Sequence, residues 1–355
     1  MSWKIYPIDC FSALANDWDG LQARAGGVPF LESRFILPLL KEFGDGRELI
    51  AVFQAGPEIT AAMILVRGRL GMWRTFQPSQ LPLGACLFGS AADCVSIVRS
   101  LIRALPGLAL GAGITQLDPQ LRSRPESAAI VDTQDYIQTA WVEVNGSFDA
   151  YWEARGKNLK QNLRKQRNKL DAEGVKVELE CITSACDVAE AIQDFGTLES
   201  AGWKAGSGTA VHLGNAQGRF YRTMLETFCD AGRAKIYRYR FGDRIVAMDL
   251  CIMSDAMLVI LKTTYDESYK TLSPAFLMRQ DQFRRLFEDN ENRISCIEFY
   301  GKVMEWHTRW TENARTLYHL TVYRWPVLRS LHDRLKRMRV SRALPPPVVK
   351  GTLPS

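Results

Sequence analysis

The sequence is poor in the residues from which metal and redox centres are usually built. Its 355 residues include only four histidines, and its eight cysteines form no CxxC pair. None of the histidines stands at a metal-ligand spacing from another. We therefore predict no metal site, and we expect the cysteines to be reduced and mostly buried thiols.

Long apolar runs are missing as well. No segment approaches the roughly 20 apolar residues of a membrane span, and the start of the chain lacks the basic and apolar stretches of a signal peptide. This pattern predicts a cytoplasmic protein. The apolar content of 46% is ample for two compact cores, because domains usually run to about 100 to 200 residues.

One pattern is present twice. Residues 50–66 (IAVFQAGPEITAAMILV) align without a gap with residues 236–252 (IYRYRFGDRIVAMDLCI), and each segment is typical of a strand, a glycine-centred turn and a second strand. The identical pairs are Ile50 and Ile236, Gly56 and Gly242, Ile59 and Ile245, and Ala61 and Ala247. The repeat predicts one fold copied twice. We expect the chemistry in the second copy, because an Asp-Glu pair and a Ser-Pro helix start follow only that one.

The order of predicted elements indicates the fold class. Both halves show strand, helix, helix, hairpin, strand, helix and strand, which predicts an α/β fold with a central mixed sheet and helices on both sides. We place the domains at residues 1–145 and 146–335, and we predict a basic, proline-rich, disordered tail at residues 336–355. The helix at residues 33–43 is expected to break at Pro38.

A Ser-Pro pair marks the start of a helix after the strand at residues 258–263. In TTYDESYKTLSPAFL, Ser273 suits the helix cap and Pro274 suits the first turn. Such a start directs free N–H groups and the positive end of the helix dipole at the preceding loop, where phosphate or pyrophosphate binds. The alternative is an ordinary helix cap.

Polar residues on two predicted strands are candidates for chemistry. Alternation puts Glu298 and Tyr300 on one strand face, a carboxylate and a phenol suited to proton transfer at the mouth of a sheet. The alternative is a paired surface carboxylate and a packed tyrosine. Lys262 stands in an apolar strand and must reach a ligand or a partner, for which Asp266 and Glu267 are the candidates.

Two further segments are candidates for binding. Trp203 and Lys204 lie in a glycine-rich loop, ESAGWKAGSGTA, which brings an indole and an ammonium onto a ligand or anchors the loop by a buried tryptophan. Residues 155–169 carry seven Lys or Arg, with Lys160 and Arg164 on the basic side of a predicted helix. This side attracts phosphate of a cofactor, a nucleic acid or an anionic lipid surface, or is only solvated. Residues 329–339 form a second basic cluster that suits a membrane surface or a nucleic acid.

Taken in order, these segments resemble a known family. The basic helix, the glycine-rich loop, RFYRTMLETF, FGDRIVAMDL, LKTTYDESYKTLSPAFL and IEFYGKVMEWHTRWT are similar in order and spacing to the acetyltransferases named for cellulose biosynthesis, the CelD/BcsL type of the GNAT superfamily. The resemblance covers about residues 141–325. It implies two tandem GNAT-like domains, as in the Fem-type peptidyl transferases, with a non-catalytic first domain.

The resemblance also implies a reaction and a donor site. The co-substrate is acetyl-CoA or a longer acyl-CoA, with no metal, and the acceptor is a small molecule, sugar, amine, lipid or polysaccharide-biosynthesis intermediate. The strand at residues 258–263 splays from its neighbour, and the residues that hold the donor are Leu272, Ser273, Pro274, Ala275, Phe276 and Leu277. Related proteins have glycine where this chain has Ala275, whose methyl group restricts close approach of a phosphate.

Roles for single residues follow from the same resemblance. Glu298 is expected to be the base with Asp266 as competitor, Tyr300 is the acid, and Lys262 belongs to the catalytic set. The residues expected to contact the acceptor are Trp203, Lys204, Lys160, Arg164, His307 and Trp310. Related chains often have Tyr-Lys where Trp306 and His307 stand here.

Two other functions fit the sequence. A Fem-like transferase would take its aminoacyl group from charged tRNA; the basic helix favours it, whereas the inserted coiled-coil arm of those relatives is missing. A non-catalytic GNAT-fold module would bind a polysaccharide or membrane assembly. We expect the basic segments to contact an anionic surface, the inner face of the membrane. We do not expect nucleic acid as a partner.

Overall fold

The computed structural model describes residues 2–56, 58–90, 93–201, 211–289 and 294–343. The first half contains, in chain order, β1 (Ser2–Pro7), α1 (Phe11–Arg24), α2 (Ser33–Phe43), β2 (Leu49–Ala55), β3 (Glu58–Arg67), β4 (Met72–Thr75), β5 (Cys86–Phe88), α3 (Cys94–Ala104), β6 (Gly111–Leu117) and β7 (Val131–Glu143).

The second half repeats this order with additions at both ends. It contains α4 (Phe148–Glu153), α5 (Lys157–Ala172), β8 (Val177–Ile182), α6 (Val188–Ala201), α7 (Ala216–Asp230), β9 (Ala234–Phe241), β10 (Arg244–Met253), β11 (Met257–Tyr265), α8 (Pro274–Glu288), β12 (Cys296–Glu298), α9 (Glu305–Thr308), β13 (Ala314–Tyr323) and α10 (Pro326–Ala343).

The internal repeat predicted from the sequence is confirmed. The two matching segments form the hairpins β2–β3 and β9–β10, each turning at a glycine with positive φ, 67° at Gly56 and 56° at Gly242. In both halves the fourth strand pairs in parallel with the strand that follows the next long helix, β4 with β6 and β11 with β12. The predicted mixed α/β architecture is therefore correct.

All strands join one sheet, and its centre is built by exchange between the halves. The strand order is β1-β2-β3-β4-β6-β13-β7-β12-β11-β10-β9-β8, with β5 added beside β3. The last strand of the second half, β13, pairs with β6 of the first, and β7 pairs with β12 of the second. Because β13 and β7 also pair with each other, main-chain hydrogen bonds run without a break from one half to the other. The boundary at residue 145 stays a prediction, and β13 lies with the first half of the sheet.

Helices cover both faces of the sheet. Helices α1, α2, α6 and α7 contribute to one apolar core shared by the two halves, where the rings of Phe35 and Phe220 lie 5.2 Å apart. Arg233 of the second half forms an ion pair of 2.6 Å with Glu32 of the first. On the opposite face, α3 packs on the first half, and α5 and α8 pack on the second.

Three local predictions need correction. Helix α2 continues through Pro38, because Phe35 and Leu39 are fully buried and their packing outweighs the lost backbone hydrogen bond. The Pro-, Ser- and Gln-containing sequence of residues 118–134 predicts a loop, whereas strand β7 begins at Val131. Helix α10 reaches Ala343, so residues 336–343 are helical, as their Arg, Lys, Met and Ala content favours. Residues 344–355 lie outside the described part.

Two further features concern the cysteines and the helices of the described residues. All eight cysteines are free thiols, and four of them, Cys86, Cys94, Cys229 and Cys251, are buried. None of the helices in the described ranges combines the length and the apolar content needed to cross a membrane.

A fragment that ends at residue 145 should fail to fold alone. It keeps β6 and β7 but loses β13, the strand that pairs with both. We expect circular dichroism to show no cooperative unfolding transition for residues 1–145, and we expect the transition to return when residues 146–355 are added. A cooperative transition of the fragment alone would contradict this dependence on β13.

Candidate functional site

The sheet opens between β11 and β12. The two strands pair only over Met257, Leu258 and Val259, and β11 then continues to Tyr265 while β12 ends at Glu298. The chain leaves β12 through Tyr300, which has a φ of 47°. Because β10 occupies the other side of β11, the backbone of β11 beyond Val259 presents an unpaired edge to this opening within the described residues.

A β-bulge lies at the opening. Leu250 of β10 pairs with Lys262 and Cys251 pairs with Ile260, so Leu261 is an extra residue on β11. The bulge interrupts the alternation of side chains. As a result, Leu261 and Lys262 both face the core of α6 and α7, whereas Ile260 faces α8.

A cavity of about 410 Å³ adjoins the opening on the α8 side of the sheet. It is lined by Thr263, Tyr265, Lys270, Ser273, Pro274, Ala275, Phe276, Arg279, Trp306 and Trp310. Four of the six residues predicted to hold the donor, Ser273 to Phe276, line this cavity. Leu272 and Leu277 do not, because their side chains are buried in the core beneath it.

The helix start at this cavity differs from a side-chain cap. Ser273 precedes α8 in the left-handed conformation, with φ 51° and ψ 52°, and its hydroxyl makes no capping hydrogen bond. The N–H groups of Phe276 and Leu277 donate to the Ser273 carbonyl, and no hydrogen bond to a described residue starts at the Ala275 N–H. This N–H and the positive helix end therefore face the cavity together with the Lys270 side chain.

A buried ion pair forms one wall of the cavity and was missed by the sequence reasoning. Arg279 is 2% exposed; it donates to Asp249 at 2.6 Å and to the Thr263 hydroxyl at 3.0 Å. Its guanidinium lies 5.7 to 5.8 Å from the ring centres of Phe283, Phe299 and Trp306. Burial raises the pKa of Asp249, and the Arg279 charge opposes that rise. The available signal was an aspartate inside the apolar strand IVAMDLCIM, which must find a cation.

Glu298 and Tyr300 point to the opposite face, on the same side of their strand as alternation predicts. There they meet two residues far away in sequence, Asp118 after β6 and Arg315 on β13. Arg315 lies 2.6 Å from the Asp118 carboxylate and 2.8 Å from Glu298, and the Tyr300 hydroxyl donates to Asp118 at 3.0 Å. These four buried side chains form what we term the seam cluster, because it joins strands of both halves.

Burial controls the protonation of the seam cluster. It raises the pKa of Glu298 to about 7, although Arg315 opposes the rise, and it raises the pKa of Tyr300 well above its usual value. Oε2 of Glu298 has no hydrogen-bond partner among the described residues. Glu298 is therefore able to take up or release a proton near neutral pH, whereas Tyr300 keeps its proton.

The other predicted catalytic residues have protein partners. Asp266 accepts hydrogen bonds from the Ser268 N–H and from Arg244; these bonds lower its pKa although burial works in the other direction. Lys262 pairs with Glu199 of α6 at 3.1 Å, so the expected partners Asp266 and Glu267 were wrong. The bulge at Leu261 is the cause, because it turns Lys262 toward α6.

The predicted acceptor residues separate into four groups, of which the last lines a groove described below. Trp310 lines the cavity and stacks on Phe276 at 5.8 Å. His307 is buried: it accepts a hydrogen bond from the Met304 N–H at 2.9 Å, and burial lowers its pKa to about 4, so it is neutral and holds the turn before α9. Trp203 and Lys204 lie outside the described residues.

Lys160 and Arg164 line a separate groove of about 540 Å³ between α5 and α8. Lys160 forms an ion pair with Glu153 at 2.9 Å. The groove reaches Gln280, one helical turn after Phe276 of the cavity, and the rings of Trp152 and Trp310 lie 6.1 Å apart between the two. The basic groove and the cavity therefore lie next to each other along α8.

In the first half the corresponding opening is closed. Residues 76–85 leave the sheet after β4 and return as β5, which pairs with β3. The Gly84 N–H donates to the Thr115 carbonyl at 3.0 Å, and the hydroxyls of Thr75 and Thr115 lie 2.6 Å apart. A Cβ atom at Gly84 would lie 2.5 Å from the Thr115 carbonyl oxygen, so this contact requires glycine.

Comparison with known proteins agrees with this geometry. Residues 157–308 match the family model of the acetyltransferase (GNAT) domain. Solved structures that are similar over most of the chain include FemX (TM-score 0.57, 8% identity, 95% of this chain and 100% of that chain). They also include the C-terminal domain of a putative lysylphosphatidylglycerol synthetase from Agrobacterium fabrum (0.53, 14%, 90% and 98%) and L-PGS from Bacillus licheniformis (0.50, 14%, 91% and 97%).

These likenesses define the fold but not the substrate. The search of curated protein sequences finds no match. The fold is GNAT-like and related to that of FemX, with two halves in one chain. Within the described ranges, no three His, Cys, Asp or Glu side chains are grouped so that they would hold a metal ion.

Replacement of Glu298 by glutamine should change the pH dependence of stability. The folded chain holds a proton on Glu298 up to about pH 7, whereas an exposed glutamate loses it near 4.5, so the free energy of unfolding falls as pH rises through this window. A glutamine at this position does not titrate, so the variant does not lose this part of its free energy of unfolding as the pH rises. We expect Glu298→Gln to gain roughly 1 to 3 kcal/mol on the wild type between pH 5 and pH 8, measured by urea unfolding.

The surface variant Glu305→Gln serves as the control for this measurement. Its side chain is 84% exposed, and we expect no comparable gain. An identical stability difference between Glu298→Gln and the wild type at both pH values would contradict the raised pKa of Glu298.

Proposed function

We propose that the second half is an acyl-CoA-dependent acyltransferase that transfers an acetyl or longer acyl group to an amine or hydroxyl of a sugar, amine or lipid intermediate. One observation carries the proposal: the unpaired edge of β11 and the start of α8 border the same cavity. The match of residues 157–308 to the acetyltransferase (GNAT) domain supports it. The narrower assignment to the cellulose-biosynthesis (CelD/BcsL) type is part of the proposal.

The chemistry of the cavity suits such a donor. The Ala275 N–H, the helix end and Lys270 offer positive charge to a pyrophosphate. The edge of β11 offers backbone groups to the amides of a pantetheine arm, and Phe276 and Trp310 form an apolar wall. The volume of about 410 Å³ falls within the range of about 300 to 1,000 Å³ that is usual for small-molecule sites.

The reaction requires a base, an oxyanion donor and an acid. A bound thioester supplies a carbonyl that an amine or hydroxyl attacks and a thiolate that leaves. The proton that the base takes from the acceptor passes to this thiolate, so the protonated base serves as the acid. We assign the base to Glu298, whose pKa of about 7 and whose Oε2, without a hydrogen-bond partner in the described part of the chain, suit proton uptake. A backbone N–H at the bulge of β11 is assigned to the oxyanion.

The structure changes the roles expected for two residues. The Tyr300 hydroxyl donates to Asp118, and its raised pKa makes it a weak acid, so we assign it to positioning the seam cluster rather than to proton donation. Asp266 is assigned to the turn before α8, because its hydrogen bonds to Ser268 and Arg244 keep it ionised there. Lys262 pairs with Glu199 on the α6 and α7 face, so we assign it no role in the donor cavity.

A second candidate is transfer of an aminoacyl group from charged tRNA. The observation that favours it is the basic groove on α5, lined by Lys157, Lys160, Arg164 and Arg167, next to the cavity along α8. An RNA end with its amino acid in the cavity would place backbone phosphates in this groove. The third possibility is a binding module in which neither half takes a donor.

Titration calorimetry with acetyl-CoA, a long-chain acyl-CoA and aminoacylated tRNA separates the three functions. We expect the full chain to bind at least one of the thioesters, and we expect Lys270→Met to weaken this binding because it removes an exposed positive charge from the cavity lining. Binding of tRNA but of neither thioester would replace the proposal by the second candidate. If the protein binds none of the three, the result would favour the third possibility, the non-catalytic binding module.

Replacement of Ala275 by glycine should strengthen donor binding. The methyl group of Ala275 stands at the cavity beside its own N–H, and its removal lets a phosphate oxygen approach that N–H more closely. We expect Ala275→Gly to lower the Kd for the thioester by up to about tenfold and Ala275→Val to raise it, both measured by calorimetry.

Ala216→Gly, at the start of α7, is the matched control for loss of a methyl group in the first turn of a helix. We expect its thioester affinity to equal that of the wild type. Unchanged binding by both Ala275 variants would place the phosphates elsewhere.

A further inference from the structure

An unusual set of exposed side chains lies where α10 leaves the sheet, beside β6 and the β3–β4 turn of the first half. Eight large apolar side chains of the described residues are exposed, and five of them belong to residues 67–71, 103–110 and 324–334, here called the arginine-leucine end. They are Leu70 (86% exposed), Leu108 (63%), Trp325 (45%), Val327 (68%) and Leu331 (54%). Scattered single residues of this kind are normal, whereas a group at one end calls for an explanation.

Backbone hydrogen bonds hold the three segments together. The Leu110 N–H donates to the Gly71 carbonyl at 2.8 Å, which brings the loop of Leu108 beside the turn of Leu70. The Arg324 N–H donates to the Leu110 carbonyl at 2.8 Å, and the Arg324 guanidinium lies 5.3 Å from the ring centre of Trp325. The five apolar side chains therefore belong to one continuous part of the surface.

Helix α10 carries two of these side chains on one side. Val327 and Leu331 are separated by four residues, so they share a helix face. The helix is held at the sheet by a hydrogen bond of 2.8 Å between the Tyr323 hydroxyl and the His332 ring. Its exposed face is thus fixed relative to the turns that carry Leu70 and Leu108.

The charges among these apolar residues are almost all positive. The three segments contain six arginines and a single carboxylate, Asp333. Asp333 lies 3.9 Å from Arg329, so part of its charge is matched within α10. The arginines are Arg67, Arg69, Arg103, Arg324, Arg329 and Arg334.

We propose that the arginine-leucine end docks the protein on a membrane surface that bears anionic lipid headgroups. Leucine, valine and tryptophan side chains that project from turns and a helix enter the boundary between headgroups and acyl chains, and arginines around them pair with phosphates. Each basic residue near such a surface adds to the attraction, and several together give stable attachment. The apolar residues project rather than line a groove, which favours a lipid surface over a bound peptide.

This docking does not depend on the proposed transferase activity. It rests on exposure and charge at the arginine-leucine end, where residues 324–334 meet turns of the first half, whereas the donor cavity lies between β11 and α8 of the second half. Failure of one proposal leaves the other standing.

Vesicle flotation tests the proposal with the full chain. We expect the protein to float with vesicles of phosphatidylcholine and phosphatidylglycerol, and much less with phosphatidylcholine alone. The triple variant Leu70→Ser, Leu108→Ser, Leu331→Ser should lose most of the bound fraction on mixed vesicles. The double variant Arg67→Glu, Arg69→Glu should lose the preference for phosphatidylglycerol.

Matched controls replace exposed residues elsewhere. Tyr136→Ser removes an exposed apolar side chain of β7, and Lys4→Glu with Lys41→Glu reverses two charges at a distance from the arginine-leucine end. Both should float like the wild type, and circular dichroism should show all variants to be folded.

Two results would overturn the proposal. One is absence of flotation with mixed vesicles, or equal flotation of the triple variant and the wild type. The other is a dimer of the wild type, seen by light scattering, that the triple variant abolishes without any effect of vesicles; the surface would then join two copies of this chain.

Discussion

The structure depends on the exchange of the two central strands. β7 and β13 pair with each other, and each also pairs with a strand of the opposite half, β12 or β6. Backbone donors and acceptors in the interior of a sheet must be satisfied, so neither half completes its own hydrogen bonding without the other. The two repeats are for this reason one sheet with a shared core rather than two linked domains.

The exchange also explains where the buried charges lie. Glu298 belongs to the second repeat, Asp118 belongs to the first, and Arg315 reaches both because its strand pairs with strands of the first half. A single guanidinium thus contacts two carboxyl groups at the point where the halves meet. Removing it would leave both acids buried without a cation, a costly state in a protein interior.

Sequence reasoning succeeded where the signal was local. Gly56 and Gly242 marked the turns of the repeated hairpins, Pro274 marked the first residue of α8, and alternation placed Glu298 beside Tyr300. It failed where the outcome depended on partners distant in sequence. Asp118 and Arg315 come together only through the strand exchange. The β-bulge at Leu261 has no glycine or other turn residue that would predict it, and it directs Lys262 to Glu199. Arg279 and Asp249 are also distant in sequence, although an aspartate in an apolar strand indicated that it would need a buried cation as partner.

The position of β13 near the end of the chain governs how the molecule is made. During synthesis β6 leaves the ribosome long before residues 314–323 exist, so the growing chain carries open strand edges for most of its translation. Contacts between such distant segments close slowly, because a long loop must be ordered before they form. The nascent protein is therefore exposed to mispairing with neighbouring chains until its last strand has been synthesised.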